Sequence, residues 1–341
     1  MPFISSIRGS FGATGKAGRT GGPPLILFNG VIYNMATESI NLSTPNEYLI
    51  TVVVPGRVRA RAFGAGGGGA QRGGWSTGFS GGSGGYATGL VNFIGGNYKI
   101  IVGEGGSGNS FRATVGGGGT AQNATSGGDN RYSACGGGFS GIFSGSGTVH
   151  DSAGGASNST YRTSGVQARS LLIAGGGGGG GVNSGSSSPQ YNGGHGGGSE
   201  GTGGQGFGNG SVDNNSRGTQ SSGGSLTGNQ WGNHRAAEFM LGGYGGGDGY
   251  GGGGGGGYFG GSTADSSTHM GGGGGGSGFV HPTLITSGSL ISGSGQTSPG
   301  GSGQTGYVSG DSNGGSPNGN TSNSWSAPPG SNGRFILGGL S

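Results

Sequence analysis

Apolar positions along this chain come in short bursts, each broken by glycine or a turn signal. Leu25-Ile26-Leu27-Phe28 runs into Asn29-Gly30, and Val31-Ile32-Tyr33 follows at once, which predicts a β-hairpin. Tyr48 to Val54 forms a longer apolar run that stops at Pro55-Gly56. Val58-Arg59-Ala60-Arg61-Ala62-Phe63 alternates, so it predicts a strand with one packed face and one wet face. Asn97 to Val102 predicts a further strand. Residues 25–63 read as an antiparallel sheet, half of a small sandwich. No segment carries a sustained helical period, so negligible α-helix is expected.

The second pattern is an apolar strand running directly into polyglycine. Phe63 leads to Gly66–Gly69, Ser170 to Ala174 leads to the seven glycines 175–181, and Ala237 to Leu241 leads to Gly242-Gly243-Tyr244-Gly245. The last unit goes on through Gly251–Gly257, Tyr258-Phe259-Gly260-Gly261 and Gly271–Gly276 to Phe279. The form is an imperfect internal repeat. Ordering glycine costs more backbone entropy than ordering any other residue, so an isolated run stays disordered. Runs packed side by side can bond their N–H and C=O groups to neighbours, with no Cβ in the way. The expectation is a mainly β protein: a small antiparallel sandwich joined to a bundle of packed polyglycine II helices. Tyr86, Tyr244, Tyr250, Tyr258 and Phe279 are expected to close the bundle's edges. The competing reading is a disordered, condensing low-complexity chain.

These patterns divide the chain into an arm at 1–24, a β-rich core at 25–110, a glycine bundle with polar loops at 111–286, and a Gly/Ser/Pro-rich tail at 287–341. In the arm Gly9, Gly12, Gly15, Gly18 and Gly21 keep a three-residue spacing, the period of polyproline II. A triple-helical clasp, a strand laid on a larger particle and a flexible arm all fit that spacing. Phe3, Ile4, Ile7, Arg8 and Phe11 in the arm, with Phe335, Ile336 and Leu337 in the tail, are the candidate assembly residues. The tail strand is expected to add to a sheet edge or to meet a neighbouring subunit. Polar segments 144–165, 183–235 and 262–270 read as loops joining the glycine passes. Binding often sits on such loops. Trp75, Tyr161, Tyr191, Phe207 and Trp231 are the candidate contact rings, with edge packing as the alternative for each.

Composition narrows the chemistry. Glycine supplies 103 of 341 residues, about 30% where an ordinary domain has about 7%. Charged residues make only 8% and formal net charge is +4, which argues against nucleic acid as a partner. Arg57, Arg59 and Arg61 share one strand face, a solvated or ion-paired face rather than a phosphate track. The single cysteine, Cys135, makes no internal disulfide and reads as a buried small side chain. The first residues do not resemble a signal peptide and no stretch reaches transmembrane length, so no membrane insertion is expected. Gly15-Lys16 is followed by Ala17, not by the Ser or Thr of a phosphate loop. His150, His195, His234, His269 and His281 share no metal-ligand spacing with Cys135. Asp129, Asp151, Asp213 and Asp248 sit in polar loops without a calcium-loop pattern. No cofactor, metal or catalytic residue is expected, and the protein is expected not to be an enzyme.

Two resemblances stand on particular residues. The unit from Leu241 through Gly251–Gly257, Tyr258-Phe259-Gly260-Gly261 and Gly271–Gly276 to Phe279 resembles the glycine-rich domain of anaplastic and leukocyte receptor tyrosine kinases. That likeness implies packed polyglycine II helices beside a β sandwich. It does not extend to cytokine reception, because those proteins are secreted and rich in cysteine. Met1-Pro2-Phe3-Ile4, the Arg8–Gly12 motif, the strand-to-glycine passages Val58–Gly69 and Leu171–Gly181, and the strand end Val102–Gly106 are similar to glycine-rich structural proteins of tailed bacteriophages. This likeness implies a virion component, a tail fibre or fibre-tip adhesin, located on the tail fibre or capsid surface. Self-association into a homotrimer or larger assembly is implied, with other virion proteins and a host-surface glycan or outer-membrane protein as partners. The alternative is a purely structural subunit of a virion surface or of a self-assembling extracellular filament.

Overall fold

The computed structural model describes residues 22–72, 79–108, 112–121, 123–124, 131–149, 164–182, 191–207, 211–226, 236–245, 251–265, 270–316 and 328–338. Phe3, Ile4, Ile7, Arg8 and Phe11 of the arm lie outside them. So do Trp75, Tyr161, Trp231 and Tyr250.

Strands β1 (Leu25–Phe28) and β2 (Val31–Asn34) form the predicted hairpin, with Phe28 opposite Val31. Asn29 and Gly30 both take positive φ, 49° and 80°, as a two-residue primed turn requires. The next strands are β3 (Ser39–Leu42), β4 (Asn46–Val54), β5 (Gly56–Phe63), β6 (Gln71–Arg72), β7 (Tyr86–Phe93) and β8 (Gly96–Val102). After them come β9 (Asn123–Ala124), β10 (Arg131–Tyr132), β11 (Ser140–Ser144) and β12 (Ser170–Ala174). The series continues with β13 (Gln205–Phe207), β14 (Ser211–Val212), β15 (Thr263–Asp265), β16 (Met270–Gly273) and β17 (Phe279–Val280), then closes with β18 (Ile285–Ile291) and β19 (Arg334–Gly338).

Two antiparallel sheets face each other. One has seven strands in the order β17-β12-β11-β8-β4-β1-β2, the other five in the order β18-β7-β5-β19-β3. Proline at position 55 has no N–H to give a ladder, and there the chain leaves the first sheet and enters the second. Alternation then sorts the side chains. Ile26, Ile50, Val52, Ile100, Ile142 and Leu172 from one sheet meet Val58, Ala60, Ala62, Val91, Phe335 and Leu337 from the other in one buried core. Arg57, Arg59 and Arg61 point away from it. Arg61 is nonetheless buried, and its Nη1 donates to Gly338 O at 3.0 Å. A second cluster lies on the outer face of the larger sheet, where Ile101, Phe143 and Ile173 are covered by Phe139, Val149, Val166 and Met240.

Both sheets take strands from either side of the sequence boundary at 110, and the smaller sheet crosses the boundary at 286 as well. The larger sheet takes strands from β1 through β17, and the smaller from β3 through β19. The tail strand β19 is not at an edge. It lies between β5 and β3, pairing Phe335 with Ala62 on one side and with Leu42 on the other. Residues 287–291, part of the stretch with the least pattern in the sequence, form most of β18.

The expected bundle of packed polyglycine II helices is corrected. The described residues contain essentially no helix, only α1 (Ser164–Gln167) and a 3-10 turn at Asn214–Ser216. The glycine runs are not a separate helical body beside the sandwich. They continue its strands: β5 passes into Gly64, β8 into Gly103 and β12 into Gly175. An extended glycine makes no bond within its own run, so each N–H goes sideways. From Gly64 to Ala70 the successive N–H groups donate to Gly85, Gly138, Ser331, Gly82, Cys135, Pro328 and Phe79. Three neighbouring segments are thus contacted in rotation. From Gly176 to Gly181 the acceptors are Gly256, Ala65, Gly194, Gly253, Gly68 and Tyr191, again three neighbours in turn. None of these run glycines has a positive φ. Their use is the missing Cβ: one built on Gly67 would lie 2.0 Å from Gly178 O.

Candidate functional site

The lateral hydrogen bonds of the glycine frame end at a common level. There five of the chain segments that join one pass to the next have their described ends closed by a backbone pair. Ala70 N–H donates to Phe79 O, and Gly181 N–H donates to Tyr191 O. Antiparallel pairing closes the others: Arg131 with Ala124, Phe207 with Ser211, and Asp265 with Met270. These closures are tied to one another. Strand β10 pairs with β6, Gly252 N–H donates to Gly271 O, and Gly253 N–H donates to Ala134 O. Ideal Cβ atoms at Gly271 and Gly272 would strike Gln205 O and Asn192 O. The described residues that flank connectors 73–78, 125–130, 183–190, 208–210 and 266–269 are therefore joined to one another in a continuous frame.

Of the candidate contact rings, Tyr191 is the one whose side chain the structure describes. It is buried, packed edge-on against Phe79 with centroids 5.2 Å apart, and its hydroxyl has no hydrogen-bond partner. Burial pushes its phenol up. Tyr191 is a packing residue at the base of connector 183–190, not an open contact ring. Phe207 contributes its backbone to β13, and its side chain is outside the described residues. Among the expected edge rings, Tyr86 is fully buried against Phe63 at 4.8 Å. Tyr244 is half-buried. Tyr258 and Phe279 stack at 4.1 Å with planes 9° apart, and they cover the outer face of the larger sheet. Phe335, Ile336 and Leu337 are buried inside the chain's own fold, so their side chains are not free for a neighbouring subunit.

Cys135 is buried in the frame, and burial pushes its thiol up to about 11, so it is chemically quiet. Asp213 caps the 3-10 turn, accepting from Asn215 N–H at 3.0 Å. That bond explains its place better than calcium does.

A cleft of about 530 Å³ is lined by segments 80–81, 192–195, 201–205, 212–217 and 295–296. Sequence reading missed it, because the lining comes from five separate places whose side chains share no spacing. His195 sits at its wall with both ring nitrogens facing backbone donors, Ser83 N–H at Nδ1 (3.4 Å) and Gly295 N–H at Nε2 (3.0 Å). A neutral imidazole accepts at one nitrogen only, and an imidazolium at neither. Burial accordingly holds the His195 pKa below its usual 6.5. The nearby charges in the cleft wall are Arg217 and its partner Glu200, whose Oε2 lies 2.9 Å from Arg217 Nη2.

The sign of the pH effect follows. As pH falls through 6.5 the unfolded chain takes up the His195 proton first, and the folded chain only at lower pH. Stability falls across that window and the loss is complete below the folded-state pKa. Urea denaturation as a function of pH is expected to show this decline, and His195→Asn is expected to remove that component of it. An unchanged profile in the variant would show that the ring is not the titrating group.

No protein-family model and no curated protein matches the chain. The likenesses to phage fibre proteins and to the receptor-kinase glycine-rich domain therefore rest on the residues quoted above.

Proposed function

We propose that the protein is a non-enzymatic structural protein of adhesive type, whose stiff frame holds connectors out for contact with a surface. The observation that supports this most is the closure of five connectors, at their described ends, by backbone pairs. A segment closed in this way can change in length and sequence at little cost to the frame. The reading fits a fibre tip carried on a particle, with self-association into a trimer and a glycan or outer-membrane protein as the surface partner.

A second reading, a subunit of an extended assembly, draws on the edge of the larger sheet that no described strand pairs with. Strand β2 ends that sheet with the sequence Val-Ile-Tyr-Asn, which carries no charge or proline to block pairing with another chain. Leu49 and Val53 on β4, beyond β1 in the same sheet, are exposed at 45% and 46%.

The two readings part in one experiment. Connector 183–190 and segment 227–235, whose flanks are joined by the Ala237 N–H to Gly224 O bond, are replaced together by Gly-Ser segments of equal length. The expected result is an unchanged Tm and loss of binding to immobilised Gram-negative outer-membrane vesicles, measured in an excess of free neutral disaccharide. Binding that survives the exchange would overturn the adhesive reading. Filaments in electron micrographs of both proteins would favour the second.

A further inference from the structure

We propose that the cleft beside His195 is a binding site for a neutral saccharide. The inference stands on the frame rather than on the connectors, and so does not depend on the adhesive reading. Its first support is the set of hydrogen-bonding groups left over in the wall. Asn192 is spent: its Oδ1 accepts from Ser80 N–H at 3.0 Å and its Nδ2 donates to Gln205 Oε1 at 2.9 Å. That bond fixes Gln205 and leaves its Nε2 donors open. Thr202 Oγ1 accepts from His195 N–H at 2.6 Å, so its own O–H is still to be donated. Asn214 Oδ1 accepts from Arg217 Nη1 at 3.3 Å, leaving Nδ2. Gln296 donates Nε2 to Ser316 Oγ at 2.8 Å, leaving Oε1 as an acceptor. Three open donors and an acceptor, each held by a bond at its other end, suit a ligand whose groups both give and accept. Hydroxyls do this; an ionised carboxylate only accepts.

Charge supports the same choice. The cleft's one charged lining residue, Arg217, is paired with Glu200, so the wall offers no net field for an anion. Apolar contact is present too. Val212 is 47% exposed at the cleft, and the glycines at 81, 193–194, 201, 203 and 295 present Cα–H groups. A sugar ring has one face of C–H groups and a rim of hydroxyls, which matches a wall of this kind. The volume lies within the range of small-molecule sites. Among the described residues no aromatic ring lines the cleft, so affinity is expected to be modest, with Kd about 1 mM.

The test is saturation-transfer NMR on the full-length protein with lactose, maltose and mannobiose as probes. Glucuronate and inorganic phosphate serve as charged comparators. Transfer to at least one neutral disaccharide is expected. Affinity should fall about tenfold or more in Asn214→Ala and in Gln296→Ala, with far-ultraviolet circular dichroism melts unchanged. The protein with exchanged connectors should bind the same sugar as before, which separates this site from the adhesive reading. No transfer to any of the three sugars would overturn the proposal. So would binding indifferent to both substitutions, or stronger binding of either anion.

Discussion

Gly178→Ala is expected to destabilise the protein by about 3–5 kcal/mol, an unusually large effect for adding one methyl group. The new Cβ would lie 2.0 Å from Gly273 O and 2.4 Å from its carbonyl carbon. The obstacle is backbone, so no side chain can swing aside. Gly178 also donates its N–H to Gly194 O and accepts from Gly82 N–H, both at 2.8 Å. Relief of the overlap must part the Gly178 run from the Gly273 run and strain these two bonds, each worth about 1 kcal/mol. Thermal melts followed by circular dichroism should show Tm lowered by about 5–10 °C. Gly165→Ala and Gly303→Ala supply the contrast, because a Cβ at either meets nothing within 4 Å. Gly165 lies in α1, where alanine is favoured over glycine by about 0.5–1 kcal/mol. Those two proteins should melt at or slightly above the parent temperature. Equal losses at all three sites would mean that close approach is not what the buried glycines serve.

Phe335→Ala is expected to cost about 3–5 kcal/mol, and truncation after Gly333 to abolish the fold. Phe335 is fully buried in the core between the sheets, on a strand with a partner on each side. Its removal leaves a void that the surrounding β structure closes only in part. Truncation goes further. It unpairs β5 and β3, removes the Arg61 acceptor at Gly338, and breaks the contact of Arg334 Nε with Asp311 Oδ2 at 2.6 Å. An assembly strand would behave differently, since its loss would leave a folded monomer that fails to associate. Circular dichroism and size-exclusion chromatography of the truncated chain distinguish the two. A folded monomer would overturn the assignment of β19 to the core.

Both expectations bear on how much the sequence made legible. The β1–β2 hairpin was readable because Asn29-Gly30 is a local signal with a local mechanism. Strands β4 and β5 were readable by their apolar runs, and the alternation of β5 told which face holds Arg57, Arg59 and Arg61. The assignment of β4 and β5 to opposite sheets was not readable, and neither was the insertion of β19 between β5 and β3. Phe335 and Ala62 are far apart in the chain, and nothing in either segment names the other. For the same reason a strand inside a sheet read as an edge strand or a subunit contact. The cleft was invisible too, because Thr202, Gln205, Asn214 and Gln296 are ordinary polar residues until the frame brings them to one wall. Tyr191 read as a contact ring because composition shows that a ring is present and not which way it faces.

The glycine runs divide along the same line. Their abundance, and their position directly after apolar strands, already required side-by-side contact if they were to be ordered at all. Glycine pays the largest entropy on ordering and has only its backbone to offer in return. What the sequence by itself determined, then, is a β protein of short strands in which glycine backbones meet one another. Only the tertiary structure decided which run meets which, that the runs extend the two sheets instead of forming helices apart from them, and where the open donors of the cleft converge. A polyglycine stretch carries no side-chain code. Its partners are set by the register of the strands that feed it, and that register is fixed by the distant side chains packed between the sheets.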